Sequence, residues 1–416
     1  MRTSAFALDR RKFFGLAAGT ASLLGVPSWL SAASRMAAKG ERTRSLVVVS
    51  LDGGNDGLAT FVPREDDRYF RARPTIAPSG ASLRALDSST AAHRSLEHVA
   101  RRFAEGQVSI VRGVGSPVSN LSHFASRDVW ESGSLESPLP STGWLGRTIA
   151  VSAGDRPLPA VAVGADAMPY ALRESSGRAC VVPSLEEFRV VQAPEGASRD
   201  VRRARARAIE QLYAGGAGPL LQDLGRAYRT ARLSARALER VERTTNRVPY
   251  PPSELGERLS LVARVVASEL ETRVFHVAQP GYDTHTDHVG SQLRLLGQLD
   301  SALDAFMRDL AAHDRLDQVL ILVTSEFGRR VKESGVGEHA GTDHGDANSL
   351  FLMGTGVRAG MYGEAPDLEN LDENGNWRTR IDFRRLYADV LRDWLGVSPE
   401  PVLGRDFASL GTVTPT

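Results

Sequence analysis

Three short apolar segments, each ending abruptly in polar residues, constrain the fold of this chain more than any other feature. They are LVVVSL at 46–51, VFHVAQ at 274–279 and VLILVT at 319–324. Runs of this length, rich in β-branched residues, are typical of parallel strands that are buried on both faces of a sheet. In open α/β sheets, ligands bind at the carboxyl edge of such strands. The sequence therefore predicts an α/β fold with a doubly wound, mostly parallel sheet flanked by helices, and a ligand site at one edge.

The polar residues that follow the three strands are of the types that bind metal ions. Brought to one edge, they form a set of candidate ligands: Asp52, Asn55, Asp283, His285, Glu326, Asp343 and His344. Asp283 and His285 are two positions apart, so in an extended loop both side chains face the same way and can chelate one cation. Oxygen and imidazole ligands without thiolates admit zinc, manganese, calcium or magnesium. We therefore predict a site for one or more divalent metal ions.

Two of the strand ends have alternative interpretations. The segment DGGNDG at 52–57 either offers oxygens to a ligand or forms an Asp/Asn-Gly turn that only ends the strand. Arg329, which follows the third strand, can hold either an oxyanion of a substrate or a nearby carboxylate. Both alternatives stay open at the level of the sequence.

Ser122 and His123 are candidates for direct roles in catalysis. Asn120 or Ser122 can cap a helix that begins near His123, with Phe124 and Val129 on its buried side. Beside metal ions, a serine at a helix N-terminus is a candidate nucleophile, because the backbone amides and the helix dipole stabilise an anion there. The alternative is a serine that only caps the helix. His123 can bind the metal ion or hold the anion.

The apolar periodicity of the remaining chain predicts the elements that surround these segments. Helices are predicted at 91–105, 253–271, 292–310 and 382–395, further strands at 108–111, 160–164, 179–183 and 348–353, and a hairpin-like connection at 354–363. The predicted core face of the third of these helices comprises Leu293, Leu296, Leu299, Leu303, Phe306 and Leu310. The Ala-, Arg- and Leu-rich region at about 199–250 is typical of a helical insertion, whose arginines indicate a solvated face or, alternatively, a surface that binds anions.

The first 34 residues have the composition of an export signal. Arg10 and Arg11 precede a moderately apolar segment that is too short and too rich in Gly and Ser to span a bilayer well, and small residues follow at 31–34. The paired arginines indicate the twin-arginine route, so the translocase is a predicted partner and the periplasm or the extracellular space is the predicted destination. The alternatives are an uncleaved N-terminal anchor and a chance pair of arginines. Residues 35–416 are predicted to form a single domain.

The charge balance of the mature chain argues against nucleic acid or a membrane surface as a partner. The whole chain has 51 Lys and Arg and 50 Asp and Glu; loss of residues 1–34 removes four basic residues and one acidic residue, which leaves a net charge of −2. The single cysteine, Cys180, excludes an internal disulfide, and we predict that it is a small, buried apolar side chain.

Several motifs of this chain resemble those of one bacterial family. They are the twin-arginine start, LDGGNDGL, SHFASRDVWESG, TGWLGR, YDTHTDH, SEFGRR, GTDHG and DFRRLYADVLRDWLG. Together they span nearly all of the mature chain and resemble the family known as domain of unknown function 1501, which is placed in the alkaline phosphatase and sulfatase superfamily. The resemblance implies an alkaline phosphatase-like fold and metal-dependent hydrolysis of phosphate or sulfate esters. It also implies a role for each matching residue: Asp52 as the first-strand metal ligand, Ser122 as the nucleophile, Asp283 and His285 as ligands of one metal ion, Glu326 as a ligand of the other, and His344 as the last metal-binding histidine.

The sequence and this resemblance together predict an exported, metal-dependent hydrolase of phosphate or sulfate esters borne by small molecules or polymers. In this mechanism Ser122 or a water molecule is the nucleophile, and Arg329 or His123 clamps the non-bridging oxygens of the ester. Two alternatives stay open: a catalytically inactive periplasmic binding or assembly protein on the same fold, and a sugar-phosphate mutase or transferase.

Overall fold

The computed structural model of this chain describes residues 43–78, 83–154, 156–184 and 240–415, together with residues 198, 200, 201, 204, 207, 208, 211 and 225. Residues Arg44–Thr416 group into one compact unit. The predicted export signal at residues 1–34 lies outside the described residues, as does most of the predicted helical insertion at about 199–250. Each helix that the structure describes is too short or too polar to cross a membrane.

The described residues form both strands and α-helices. The strands are β1 (Ser45–Asp52), β2 (Phe61–Pro63), β3 (Arg84–Ala85), β4 (Thr90–Ala92), β5 (Val108–Gly115), β6 (Ala160–Val163), β7 (Ala179–Val182), β8 (Val274–Pro280), β9 (Val319–Thr324), β10 (Gly328–Arg329), β11 (His344–Gly345), β12 (Asn348–Met353), β13 (Gly360–Tyr362) and β14 (Ile381–Asp382). The α-helices are α1 (Gly57–Thr60), α2 (Asp67–Ala72), α3 (Glu97–Ala104), α4 (His123–Ser132), α5 (Trp144–Ser152), α6 (Glu254–Ala267), α7 (His288–Ala312), α8 (Phe383–Asp389) and α9 (Glu400–Leu403). A π-helical turn, Val390–Trp394, continues α8 and completes the predicted closing helix.

The central sheet has the strand order β13-β5-β12-β9-β1-β8-β6-β7, and β14 also pairs with β5. Most neighbours are parallel, whereas β12 is antiparallel to both β5 and β9. This arrangement confirms the predicted mostly parallel sheet with flanking helices. In the middle of the sheet, β1 lies between β9 and β8, with Ser50 opposite Thr324 and Asp52 opposite Pro280. The carboxyl ends of the three predicted strands therefore meet at one edge.

The side chains of β1 alternate between two hydrophobic cores. Val47, Val49 and Leu51 pack with α6 and α7 on one face of the sheet, whereas Leu46 and Val48 pack with α5 and α8 on the other. Burying one such side chain contributes roughly 1.5–3 kcal/mol to folding. Because helices cover both faces, nearly every position of the strand is apolar, which is the pattern that the sequence shows.

Three predicted features differ from the structure. The helix predicted at 91–105 begins only at Glu97, because Thr90–Ala92 pair as β4 with β2 and β3. The connection predicted as hairpin-like at 354–363 contains β13, which is parallel to β5. Cys180, predicted to be buried, is half-buried because β7 forms an edge of the central sheet.

The long helix α7 confirms most of its predicted core face. Its buried members are Leu296, Leu299, Leu303, Phe306 and Leu310. Leu293 is an exception, with 39% of its surface exposed. The buried stripe passes through Gln292 and Leu296, so Leu293 lies one position outside it.

Candidate metal centre

Glycines let the loops that follow β1, β8 and β9 pack directly against one another. Gly53 has a φ of +115°, and a Cβ there would lie 2.4 Å from the backbone nitrogen of Asp283. A Cβ at Gly341 would lie 2.2 Å from the carbonyl oxygen of His285. A residue without a Cβ permits both the positive φ and the close approach of the backbones. The three loops thus meet at the sheet edge that the sequence predicts.

Four side chains converge where these loops meet, and we call them the His/Asp cluster: His123, Asp283, His285 and His344. One ligand atom from each of His123, Asp283 and His344 lies within 4.8 Å of the other two. Asp283 Oδ1 is 3.1 Å from His344 Nε2, and Asp283 Oδ2 is 3.4 Å from His123 Nε2. His285 Nε2 lies 2.9 Å from His344 Nε2 and 3.1 Å from Asp283 Oδ1. The structure therefore brings together three of the predicted metal ligands and His123.

Hydrogen bonds on the outer side of the cluster fix the tautomers of two histidines. His344 Nδ1 lies 2.8 Å from the carbonyl oxygen of Leu121, which can only accept, so Nδ1 is the protonated nitrogen. His123 Nδ1 lies 2.9 Å from Glu326 Oε1 and donates to that carboxylate. In each neutral ring, Nε2 then carries a lone pair that faces the cluster. A histidine held from behind by a carboxylate or a carbonyl is the usual arrangement in metal sites.

The cluster brings several acceptor atoms close together. The lone pair of His344 Nε2 faces an oxygen of Asp283 at 3.1 Å, and His285 Nε2 lies 2.9 Å away. His123 Nε2 is buried and has no hydrogen-bond partner. Burial lowers the pKa of His344, against the opposing effect of its contacts with the Leu121 carbonyl and the Asp283 carboxylate, so the neutral ring is favoured at neutral pH. A cation bound between these atoms would satisfy all of them.

The charge and spacing of the cluster fit a metal ion. Burial alone would raise the pKa of Asp283, but the hydrogen bond and the charge of Arg329, together with the contacts of His344 and His285, lower it to about 2. Asp283 is therefore ionised, as a metal ligand must be. A tetrahedral ion with bonds of ~2.0–2.1 Å places its ligand atoms about 3.3 Å apart. Asp283 Oδ1 lies 3.1 Å from Nε2 of both His344 and His285, and Asp283 Oδ2 lies 3.4 Å from His123 Nε2, so each of these distances is close to that spacing.

Carboxylates that were predicted as ligands lie behind the histidines. Glu326 accepts hydrogen bonds from the backbone N–H of Gly53 at 2.9 Å and from His123 Nδ1, so it orients His123. Asp343 Oδ1 is 3.4 Å from His285 Nδ1 and is the outer partner of that ring. Both acids therefore contact the outer Nδ1 atoms of the histidines and not the Nε2 atoms that face the cluster.

Two predicted ligands of the first strand end, Asn55 and Asp52, make their hydrogen bonds with neighbouring residues of the chain. Asn55 is buried, and its side-chain amide donates to Thr60 Oγ1 at 3.0 Å, which corrects the expectation that Asn55 binds the metal ion. The physical reason is that the chain turns inward at Asn55 to begin α1. Asp52 accepts a hydrogen bond from Ser50 Oγ. Burial raises the pKa of Asp52, and the nearby charge of Glu326 adds to this rise.

Arg329 is enclosed by the three loops, with 1% of its surface exposed. Its guanidinium donates to the carboxylate of Asp283 at 2.8 Å and to the carbonyl oxygens of Gly53, Gly54, Tyr282 and Thr342. These contacts correspond to the second of the two predicted roles, which is to hold a carboxylate. They correct the expectation that Arg329 clamps a substrate, because the surrounding carbonyls shield it from solvent.

Ser122 precedes α4 and is adjacent in sequence to His123 of the cluster. It is exposed, and its side chain makes no capping hydrogen bond, although its backbone N–H donates to Asn120 Oδ1 at 3.0 Å. The hydroxyl is therefore not used as a helix cap. Phe124, predicted to be buried, is 80% exposed, because the buried face of α4 carries Ser126 and Trp130 instead.

A fully buried ion pair supports the loop that carries His285. Asp56 caps α1 and binds Arg73 Nη1 at 2.6 Å, and neither side chain is exposed. His288 Nε2 lies 3.3 Å from Asp56 Oδ2, and His288 Nδ1 lies 2.9 Å from Thr284 Oγ1. An aspartate that precedes a short helix is a typical capping residue, so the sequence indicates a structural role for Asp56. The spacing between Asp56 and Arg73 does not indicate that they form an ion pair.

Acidification below about pH 6.5 is expected to destabilise the protein through His288. Burial lowers the pKa of His288 from 6.5 to about 4, although Asp56 opposes this shift. Between these two values the unfolded chain binds a proton that the folded protein does not, so the free energy of unfolding falls as the pH falls. A shift of this size corresponds to about 3 kcal/mol. Denaturant melts at pH 7 and pH 4.5 should show a smaller loss for His288→Gln than for the wild type; equal losses would exclude His288 as the group responsible.

Comparisons with known proteins identify a family and similar folds. Residues 108–403 match the family described as protein of unknown function (DUF1501). No curated protein matches the chain.

Among solved structures, the chain is similar to members of the alkaline phosphatase and sulfatase group, as the motifs predict. One is a sulfatase from Pseudoalteromonas sp., with 11% identity, coverage of 92% of this chain and 75% of that chain, and a TM-score of 0.37. Another is the alkaline phosphatase of the Antarctic bacterium TAB5, with 9% identity, coverage of 76% and 93%, and a TM-score of 0.30. A third is a protein in the alkaline phosphatase superfamily from Vibrio parahaemolyticus, with 10% identity, coverage of 88% and 70%, and a TM-score of 0.35.

Proposed function

We propose that this chain, which belongs to the family described as protein of unknown function (DUF1501), is an exported, metal-dependent hydrolase of phosphate or sulfate esters. The observation that carries the proposal is the His/Asp cluster, in which His123, Asp283 and His344 each bring one ligand atom within 4.8 Å of the other two, and His285 Nε2 lies 3.1 Å from Asp283 Oδ1. Three imidazoles with one carboxylate are a donor set typical of zinc, so we propose Zn²⁺ as the resident ion. Export by the twin-arginine route is the accompanying proposal from residues 1–34.

The residues around the cluster prepare it to bind the ion in one geometry. A bound divalent ion would polarise the non-bridging oxygens of the ester and lower the pKa of the attacking hydroxyl. The carbonyl of Leu121 and the carboxylate of Glu326 hold His344 and His123 in the tautomers that present Nε2. Arg329 holds Asp283 from behind. Groups fixed in this way need little reorganisation during a reaction, which is the main source of electrostatic catalysis.

The start of α4 offers a place for the ester group next to the cluster. No side chain caps the first-turn amides of this helix, and the helix dipole adds positive potential there. Ser122 and His123 are adjacent at this end. In the proposed reaction the Ser122 oxygen bonds to phosphorus or sulfur, the bond to the alcohol oxygen breaks, and the alcohol leaves with a proton. Water then hydrolyses the seryl ester and restores the hydroxyl.

Ser122→Ala is expected to reduce kcat by roughly 10³-fold while the metal content stays unchanged. The variant lacks the attacking oxygen but keeps every member of the His/Asp cluster. Initial rates with an aryl phosphate and an aryl sulfate would measure the effect, with Ser116→Ala as the matched control. A loss of only a few-fold would assign the attack to a water molecule instead.

The proposal is tested by metal analysis and an ester screen on the full chain, expressed with its N-terminal segment and purified without chelator. Bound zinc near one equivalent, together with turnover of an aryl phosphate or an aryl sulfate, would support it. Stoichiometric metal without turnover of any ester would indicate a binding protein on the same fold. Failure to hold metal under any loading condition would overturn the metal-dependent mechanism.

A further inference from the structure

Phe327 is a large apolar side chain that is buried beside the His/Asp cluster. It directly follows Glu326 in the loop after β9, and 3% of its surface is exposed. It nevertheless belongs to none of the apolar cores that the described residues form. An aromatic ring that is buried outside the core acts mainly on the side chains that it touches, so the contacts of Phe327 indicate its role.

The ring of Phe327 packs against two histidines of the cluster. Its centroid lies 4.9 Å from that of His123 and 4.7 Å from that of His344, with the ring planes inclined at 40° and 35°. The two imidazoles are themselves 4.4 Å apart and meet edge to face, at 74°. Aromatic rings at these distances are in direct contact. A single apolar ring therefore covers part of both imidazoles.

The loop after β1 restricts the ring of Phe327. Gly54 has a φ of +73°, and a Cβ there would lie 2.3 Å from Phe327 Cε2, so a residue without a Cβ is needed for the backbone to approach the ring. The backbone carbonyl of Phe327 accepts a hydrogen bond from Asn348 Nδ2 at 2.8 Å. The ring thus contacts the backbone of Gly54 as well as the two imidazoles, which leaves it little freedom to move.

The hydrogen bonds of His123 and His344 leave the planes of their rings undetermined. Each imidazole is held at Nδ1, by the carboxylate of Glu326 and by the carbonyl oxygen of Leu121 respectively. Such a bond selects the tautomer, but a ring that is held at one atom can still turn about the hydrogen bond. A flat side chain packed against the imidazole opposes this rotation. It also keeps water from that side, which favours the neutral imidazole that a metal ion requires.

We propose that Phe327 is a positioning residue that fixes the planes of His123 and His344, so that Nε2 of each is directed at one metal ion. This role rests on the metal centre proposed above. A metal-bound imidazole carries part of the positive charge of the ion, so its attraction to the negative face of the Phe327 ring is stronger when the ion is bound. Phe327 therefore contributes to metal affinity as well as to folding.

Zinc titrations of the full chain against a chromophoric chelator test this role without any substrate. Phe327→Leu keeps a buried apolar side chain but lacks the flat ring, and we expect it to bind zinc about tenfold or more weakly than the wild type. The matched control is Phe351→Leu. Phe351 is equally buried, but it belongs to a hydrophobic core and its ring contacts Phe61 at 5.6 Å, so this variant should keep the zinc affinity of the wild type.

Cobalt absorption separates positioning from stability. Co²⁺ that replaces zinc absorbs visible light, and its bands depend on how the ligands are arranged around the ion. At saturating Co²⁺ we expect Phe327→Leu to show shifted or weakened bands, whereas Phe351→Leu should give the spectrum of the wild type. If Phe327→Leu does not fold, Phe327→Met replaces it, because methionine has a similar volume and no flat ring.

The outcomes distinguish the role of Phe327 from the existence of the metal centre. If the wild type binds zinc and the Phe327 variant binds it as tightly, with an unchanged cobalt spectrum, the positioning role is overturned and the metal centre stands. An equal loss of affinity in Phe351→Leu would also overturn the positioning role, because any loss of a buried ring would then have the same effect. A wild type that binds no zinc overturns both proposals.

Discussion

Replacing Asp283 with alanine is expected to remove the resident metal ion and to lower ester hydrolysis by about 10³-fold or more. Asp283 is the member of the His/Asp cluster whose oxygens contact all three imidazoles, at 3.1, 3.1 and 3.4 Å. It also supplies the negative charge of the cluster, because its pKa of about 2 keeps it ionised. Without it, three imidazoles without a carboxylate remain, and they bind a divalent ion far more weakly. Elemental analysis and initial rates on the same preparation would measure both effects.

The matched control for this prediction is Asp287→Ala. Asp287 lies in the same loop and is exposed, and its carboxylate contacts Ser291 rather than the cluster. The control should keep its metal and its activity. Asp283→Asn adds a second comparison, because asparagine retains an oxygen for Arg329 but loses the charge. If Asp283→Ala held as much zinc as the wild type, the ion would be bound elsewhere and the cluster would not be the metal centre.

The sheet edge could be predicted from the sequence because a strand that is buried on both faces consists almost entirely of apolar residues. The three apolar strands are adjacent, and the loops after them do bring Asp283, His285 and His344 together. The spacing of Asp283 and His285, two positions apart, also predicted their proximity correctly, because alternate residues of an extended loop face the same side. His123 is the first residue of α4, which follows β5, and β5 is not adjacent to any of the three apolar strands in the sheet. The sequence around His123 therefore does not show whether it binds the metal ion or holds an anion.

What the sequence could not predict depends on side-chain direction within the loops. Asn55 turns inward to bond Thr60, and Glu326 binds His123 from behind. Both are polar residues at strand ends, so residue type does not distinguish them from ligands. The buried pair of Asp56 and Arg73 likewise joins residues whose contact arises only after the loops have folded. Exposure of Phe124 has the same origin, because the face of a short helix that is buried depends on what packs against it.

Arg329→Met is expected to lower the free energy of unfolding by about 3 kcal/mol or more and to weaken metal binding by roughly 10–100-fold. The guanidinium joins the three loops of the site through the carbonyl oxygens of Gly53, Gly54, Tyr282 and Thr342. Methionine fills a similar volume but leaves these buried acceptors without donors. It also frees Asp283, whose pKa should rise toward its ordinary value once its bond to Arg329 is lost. Denaturant melts and zinc titrations of the purified protein would measure both changes without any substrate.

Arg330→Met is the control that separates the loss of a loop anchor from the loss of positive charge near the site. Arg330 is adjacent and half-exposed, and its nearest acid, Asp343, lies 3.9 Å away, so its removal should change stability by less than about 1 kcal/mol. A substrate clamp at position 329 would behave differently from an anchor. Arg329→Met would then keep its stability and its zinc and would show only a higher KM for esters. That outcome would return Arg329 to the catalytic role, because an anchor that bonds four carbonyls cannot be removed without disturbing the loops that it holds.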